Sequence, residues 1–485
     1  MSTNDSRIDL ATSTELDKLA VDIPMDDDLR ASLATAGARN IRHLREALVR
    51  AEQAPRRAQF KRLATAVAFL PTRYVARVAE EALSPLMAAR IVSVMNPVTG
   101  SRIAKRLSPQ YLAAAATAAD PVAVRDIIPL IPATLIRDVA MLLLEREDYV
   151  TMGRFADALS APAIRLVVNA TDDDSQLLKI AQYMEQPRQL GKIVMMLDND
   201  RVARVIQTGM AKHLWPQALW VIDHVAEESK GRLADIMGAQ PLDTLNDLVE
   251  VAYKERLWAP VLRAMAHMNP RYYRKIVNLP ALHDETILGD LVATAYEEGL
   301  LATALPLARV MRPHFQRTVA HAALDQGDDV AEAALWAAHN SHRWDVILEL
   351  ARHLDDDKRN ILARLPIAKN PQALRSLLET AAGTGHMDLL LDFARRFDDD
   401  GLRLVIDIGL EDSGDLIEAF LDAAQQSEDG WAAIVTALSA VTDEDTLKTM
   451  APIYQRQDAP MQQAFQQAAS NGGIWDRIAP ALGAA

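Results

Sequence analysis

The side chains best suited to chemistry are grouped carboxylates: Asp26–Asp28, Asp172–Asp174, Asp198 with Asp200, Asp355–Asp357 and Asp398–Asp400. Carboxylates with water can complete the oxygen shell of a divalent cation such as Mg²⁺. The same residues at a helix start accept hydrogen bonds from orphan N–H groups and suit the helix dipole. Their recurrence at matching places favours the capping role. His339, His342 and Asp345 in AAHNSHRWD could in principle hold a metal, but they fall at an inter-helix turn before Trp344. The sequence therefore predicts no metal site.

The second group is basic. Arg39, Arg42 and Arg45 lie on one predicted helix, and Arg56, Arg57, Lys61 and Arg62 on the next. Residues 38–107 hold fourteen bases and four acids, in a chain of net charge −14. These seven side chains are the candidate partner-binding face. Such a face suits an acidic protein first, with an anionic membrane surface or a nucleic acid as alternatives. It could also neutralise the chain's own acids. The strongly acidic remainder argues against nucleic acid running along the whole chain.

No Walker A sequence, no GxGxxG after a strand, no GxSxG and no HExxH occurs. With no cysteine, thiolate nucleophiles, thiolate metal sites and disulfides are excluded. The expectation is a protein with no catalytic residues and no cofactor, hence not an enzyme.

The elements that must position these residues are repetitive. Steps of 43 residues from Trp215 reach Trp258, Leu301, Trp344 and Met387; steps of 44 then reach Trp431 and Trp475. Leu219, Leu262, Leu305, Leu348, Leu391 and Val435 form a second column. Ala252, Ala295, Ala338, Ala381, Ala424 and Ala468 form a third. A fixed period of this length predicts an α-solenoid. Each unit reads as three helices. The first starts at the Trp column. The second starts near Glu227, Pro270, Pro313, Asp356, Asp399 and Asp443. The third ends near the Ala column. At this spacing the Trp column reads as core, not as a stacking platform.

Upstream the period is shorter. Ser84-Pro85, Asn96-Pro97, Ser108-Pro109 and Asp120-Pro121 recur every 12 residues, and Pro132 follows 11 later. A small polar cap followed by proline at the first helical position starts a helix without wasting a donor. Helices of two to three turns follow, too short to stand alone. Before them, three short helices are expected by residue 53, with Asn40 capping the third and the first 20 residues loosely ordered.

The units SPLMAARIVSVM, NPVTGSRIAKRL and DPVAVRDIIPLI resemble the helical units of the N-terminal cytoplasmic domain of MgtE-type magnesium transporters. The resemblance spans roughly residues 70–210. It implies a superhelix of short helices. No transmembrane part and no CBS pair accompany it, and the family's acidic positions have no residue-by-residue match here.

The expected fold is all-α, an α-solenoid of short helices followed by helical repeats of about 43 residues. Residues 1–70 form an N-terminal helical segment, 71–212 the short-helix superhelix and 213–485 the long-period array. The polar N-terminus and the absence of a clean apolar span predict a cytoplasmic protein. Arginine outnumbers lysine 40 to 12, which points to a bacterial source. The function expected is a non-catalytic interaction scaffold; the alternative is a Mg²⁺-responsive regulatory protein.

Overall fold

A cap and a proline start each short helix in the 84–121 stretch. Ser84, Asn96, Ser108 and Asp120 accept from the N–H groups of Met87, Val98, Tyr111 and Val122 at 3.3, 3.0, 3.4 and 3.0 Å. The following proline takes the first helical position each time. Caps of this kind are worth about 1 kcal/mol each. The computed structural model describes residues 9–53, 57–186, 190–411, 415–427 and 430–483. Among them it is all-helical, with 34 α-helices and no strand. None of these helices is long and apolar enough to cross a membrane.

The chain divides into two compact units, Met1–Gln240 and Pro241–Ala485. The first opens with α1 (Leu10–Asp22), α2 (Asp27–Ala34) and α3 (Gly37–Gln53), which pack on one another around Leu16, Leu19 and Ile41. Helix is thus present from Leu10, inside the stretch expected to be loose, because Asp9 caps it and Leu16 and Leu19 are fully buried. Asn40 does not cap α3. The helix starts at Gly37, and the Asn40 amide donates to the Ala36 carbonyl at 2.9 Å.

The array of this unit continues through α4 (Arg57–Val67), α5 (Thr72–Ala82), α6 (Pro85–Val92), α7 (Pro97–Ala104), α8 (Pro109–Thr117) and the single turn α9 (Pro121–Val124). It is completed by α10 (Ala133–Glu145), α11 (Tyr149–Ala156), α12 (Ala161–Ala170), α13 (Ser175–Gln182), α14 (Leu190–Met196), α15 (Asn199–Ala211), α16 (Trp215–His224) and α17 (Glu227–Gly238). Helices two apart in sequence pack together: α4 on α6, α5 on α7, α6 on α8, α8 on α10, α10 on α12, α11 on α13, α13 on α15 and α15 on α17. Alternate helices therefore form two layers with the apolar core between them.

The second unit opens with α18 (Leu242–Lys254), after which each repeat supplies three helices. They are α19 (Trp258–Ala266), α20 (Pro270–Ile276) and α21 (Glu285–Glu297); α22 (Leu301–Arg309), α23 (Pro313–Asp325) and α24 (Asp328–Asn340); and α25 (Trp344–Ala351), α26 (Asp356–Arg364) and α27 (Pro371–Thr384). Then come α28 (Met387–Ala394), α29 (Asp399–Glu411) and α30 (Asp415–Gln425); α31 (Gly430–Ala440), α32 (Glu444–Arg456) and α33 (Ala459–Asn471); and the closing α34 (Trp475–Leu482). Trp258, Trp344 and Met387 are buried first residues of their helices, while Trp431 and Trp475 are half-buried. Leu301 is half-buried too, so the column is core at Trp215, Trp258, Trp344 and Met387 and only partly so elsewhere.

A further column, absent from the sequence reading, closes each repeat. The residue two before the marker has positive φ wherever it is described: His213 58°, Arg256 55°, Gly299 66°, His342 54°, Gly385 73° and Gly473 70°. The next residue then donates its N–H back across the turn. Leu257, Leu300, Arg343 and His386 reach the carbonyls of Ala252, Ala295, Ala338 and Ala381 at 2.8, 2.7, 2.8 and 2.9 Å. This is the left-handed helix stop, in which a six-residue bond satisfies an orphan carbonyl. In the last unit the donor is Ile474 and the acceptor Ala469 at 3.0 Å. The fully buried alanine there is Ala469, one residue past the predicted Ala468.

Two outcomes follow from this register. Ala338 and Ala381 have no exposed surface. Ala338→Leu or Ala381→Leu should cost about 1–3 kcal/mol by overpacking, whereas half-buried Ala468→Leu should cost much less; urea midpoints measure both. Gly385 has no atom within 4 Å of where a Cβ would stand, so any loss in Gly385→Ala comes from its left-handed backbone. That loss should be about 1 kcal/mol, with Gly385→Asn losing less, read by the same denaturation curves.

Candidate functional site

The seven basic side chains separate into two groups. Arg42 and Arg45, on α3, turn inward onto α1. Arg42 donates twice to Glu15 Oε1, at 2.7 and 3.1 Å. Arg45 is buried, with its Nη2 3.3 Å from Glu15 Oε2 and 3.0 Å from Glu185 Oε2. Arg39 is exposed on α3. Arg57, Lys61 and Arg62 are exposed on α4 and have no side-chain partner among the described residues. Arg56 lies outside the described residues. The continuous face expected from sequence is thus reduced: two of its cations neutralise the chain's own acids.

The inward group belongs to a buried ionic cluster. Lys18 is 1% exposed, with its ammonium 3.4 Å from both Glu15 and Glu185 and 3.5 Å from the Met184 carbonyl. Arg154 of α11 stands 3.9 Å from Glu185. Hydrogen bonds surround it: Gln182 to Thr14 at 2.8 Å, Tyr183 OH to Asp17 at 2.8 Å and Arg30 to Asp17 at 2.5 Å. Asp157 accepts from the N–H groups of Glu185 and Gln186 at 3.0 and 2.7 Å. The cluster fixes α1 and α3 against the end of α13. Gly153 makes room for the contact between α11 and that end: a Cβ there would stand 2.5 Å from Tyr183 Cβ and 2.6 Å from the Ile180 carbonyl.

Burial sets the protonation of these groups against their partners. Burial raises the Glu15 carboxyl, but Lys18, the Arg42 hydrogen bond and Arg45 outweigh it and hold it below the usual range. Burial lowers the Lys18 ammonium further than Glu185 and Glu15 can restore. Burial likewise raises Asp157, past what its two backbone bonds recover. The sequence reading missed Glu15, Lys18, Arg154 and Glu185. Thr12, Glu15, Leu16 and Leu19 do follow one helical stripe, and an acid inside an apolar stripe is a signal for a buried ion pair.

The grouped carboxylates are engaged at helix starts. Asp26, Asp198, Asp355 and Asp398 accept from the N–H groups of Leu29, Arg201, Lys358 and Gly401 at 2.8, 2.6, 3.0 and 3.0 Å. Asp173 accepts from Ser175 at 3.0 Å. The Lys358 N–H bond holds the Asp355 carboxyl below its ordinary range, and the Lys369 side chain does the same for Asp398. The histidine pair does not converge. The His339 ring lies between Trp336 and Trp344, His342 is the left-handed residue of its turn, and Asp345 pairs with Arg309 at 2.9 Å. Among the described residues no three His, Cys, Asp or Glu side chains are placed to hold a metal ion.

Two concavities stand out. In the first unit a cavity of about 210 Å³ is apolar, lined by residues from Leu112 to Val221. In the second an open cleft of about 920 Å³ is lined by Tyr296, Trp336, Asp328, Asp329, Glu332 and Arg364, among others, with Trp336 donating to Glu332 at 3.2 Å. No family model matches the chain, and no curated protein matches it.

The cluster predicts a pH-dependent attachment of α1. Glu15→Gln leaves Lys18 and Arg45 short of a buried counter-charge and should weaken the docking by about 3 kcal/mol at neutral pH, read from hydrogen exchange of the α1 amides. Because the folded Glu15 value is lowered, its contribution is complete above the unfolded value of about 4.3 and is lost as pH falls through the folded one. The gap between wild type and variant should therefore begin to narrow below about pH 4 and close as pH falls through the lowered folded value. Asp157, raised by burial, acts with the opposite sign and is common to both proteins.

Proposed function

We propose that the chain is a non-catalytic cytoplasmic interaction scaffold, built on its helical array and holding an anionic partner on the exposed face of α4 and α5. The observation that carries this reading is that Arg57, Lys61 and Arg62 are exposed without partners among the described residues, beside solvent-exposed Leu63, Phe69, Leu70 and Tyr74. Exposed cations close in sequence to several exposed large apolar side chains mark an interaction surface more than a solvated one. A solenoid supplies long surfaces of this kind. The resemblance of residues 70–210 to the MgtE N-terminal domain remains a proposal about how this array is built. The cation-responsive alternative would draw on the grouped aspartates, whose oxygens serve helix starts and ion pairs.

The test is charge reversal at Arg57, Lys61 and Arg62 to Glu in one variant. Retained melting temperature with lost partners, in an affinity purification from the native host, supports the reading. A lowered melt with an unchanged partner set overturns it.

A further inference from the structure

We infer that the corner joining α4 to α5 docks on an anionic lipid surface, with Phe69 and Leu70 entering the interface and Arg57, Lys61 and Arg62 held at the lipid phosphates. The inference rests on the reading of this face as a binding surface and names its partner.

Phe69 is 84% exposed, the most of any large apolar side chain in the described residues. It stands at the end of α4, where Phe69 N–H bonds to the Ala66 carbonyl and Leu70 N–H to that of Val67, before Pro71 opens α5. Leu63, on α4, is 48% exposed, and Leu70, three residues past the end of that helix, is 56% exposed. Tyr74 and Val78, four apart, share the exposed side of α5. Phe69 and Leu70 lie in the short segment that links α4 to α5. Helix α4 buries only Phe60 and Ala64 against its neighbours, which leaves its other face open.

The charge beside this corner is mainly positive, with Arg57, Lys61, Arg62, Arg73 and Arg77 in the stretch. Between residues 57 and 82 the acids are Glu80 and Glu81. Glu80 accepts from the Ser108 N–H at 2.5 Å and Glu81 pairs with Arg77 at 2.8 Å. Arg73 lies over the Tyr74 ring at 4.7 Å. Arg57, Lys61 and Arg62 have no acidic partner among the described residues, so the complement is anionic. A protein helix would need a groove to lie in, and the apolar cavity of this unit takes its lining from Leu112 to Val221 and none of these side chains. A protruding Phe-Leu corner flanked by Arg, Lys and Tyr suits a bilayer interface, where the rings and alkyl groups enter and the cations stay with the headgroups.

The test uses the full chain with phosphatidylcholine vesicles, with and without phosphatidylserine. The wild type should sediment with the phosphatidylserine vesicles and not with phosphatidylcholine alone. Phe69→Ser with Leu70→Ser, and separately Lys61→Glu with Arg62→Glu, should each weaken that binding about tenfold or more without changing the melt. Because the chain has no cysteine, Phe69→Cys can carry a single polarity-sensitive dye, whose emission should shift to the blue only with the anionic vesicles. Equal binding to neutral vesicles, or no binding to either, overturns the lipid inference. So does a dye shift caused by an acidic peptide or by raising the protein concentration without lipid. If vesicles are ignored while charge reversal on α4 still removes captured proteins, the lipid partner is wrong and the scaffold reading stands; if neither responds, both fail.

Discussion

A buried helix end must satisfy its last carbonyls, and one backbone bond does so at the repeat junctions whose residues are described. The carbonyl of an alanine near the end of the third helix, or of Gly209 before Trp215, receives the N–H of the residue five positions on. That bond needs a left-handed residue in between, which turns the chain sharply enough for the next helix to start at once. The marker residue is the first residue of that helix, or the second at Trp431, so the turn sets where it sits. Ala252, Ala295, Ala338 and Ala381 are at most 1% exposed, so a larger side chain there would overpack the contact. The Trp, Leu and Ala columns are thus consequences of one stop signal repeated at fixed spacing. Glycine removes the backbone cost at 299, 385 and 473, whereas His213, Arg256 and His342 bear it.

The repeats were legible because their determinants are local. A proline at a first turn, an acid before it and an alanine forty-odd residues on leave a periodic trace. The left-handed column went unread because three of its described members are not glycine, and a histidine or arginine carries no turn signal of its own. The slip from Ala468 to Ala469 has a similar cause: two adjacent alanines are indistinguishable by type, and only packing selects one. The start of α3 was misplaced because Asn40 is a favoured cap residue, yet three helical residues precede it and its amide bonds backward instead.

The candidate site was half legible. Composition shows an excess of bases between 38 and 107, but charge counts do not say which cations are spent internally. Arg42 and Arg45 share a helix face with spacing typical of a solvated stripe. Their acceptor Glu15 lies 27 and 30 residues away, and the second acceptor of Arg45, Glu185, lies 140 away. No window-based reading spans such distances. Of the seven candidate cations, Arg39, Arg57, Lys61 and Arg62 are exposed with no acidic partner among the described residues, and those of α4 are the nearest of them in sequence to exposed Phe69 and Leu70.

The docking of α1 and α3 also shows what buried charge can do in a repetitive fold. Stacked helices expose many similar apolar ledges, and a helix bearing only Leu16 and Leu19 could settle on several of them at comparable free energy. Within the first unit, Arg154, Asp157 and Glu185 come together at the end of α13, beside the glycine that admits α11 to it. Glu15 and Lys18 find their complements there, and a shift to a neighbouring ledge would leave both buried without partners, at a cost of several kcal/mol. The ion pairs need add little net stability over apolar packing to act in this way. Their effect lies in the difference between the right seat and the wrong ones, which is where a charged group in a low-dielectric contact has its largest leverage.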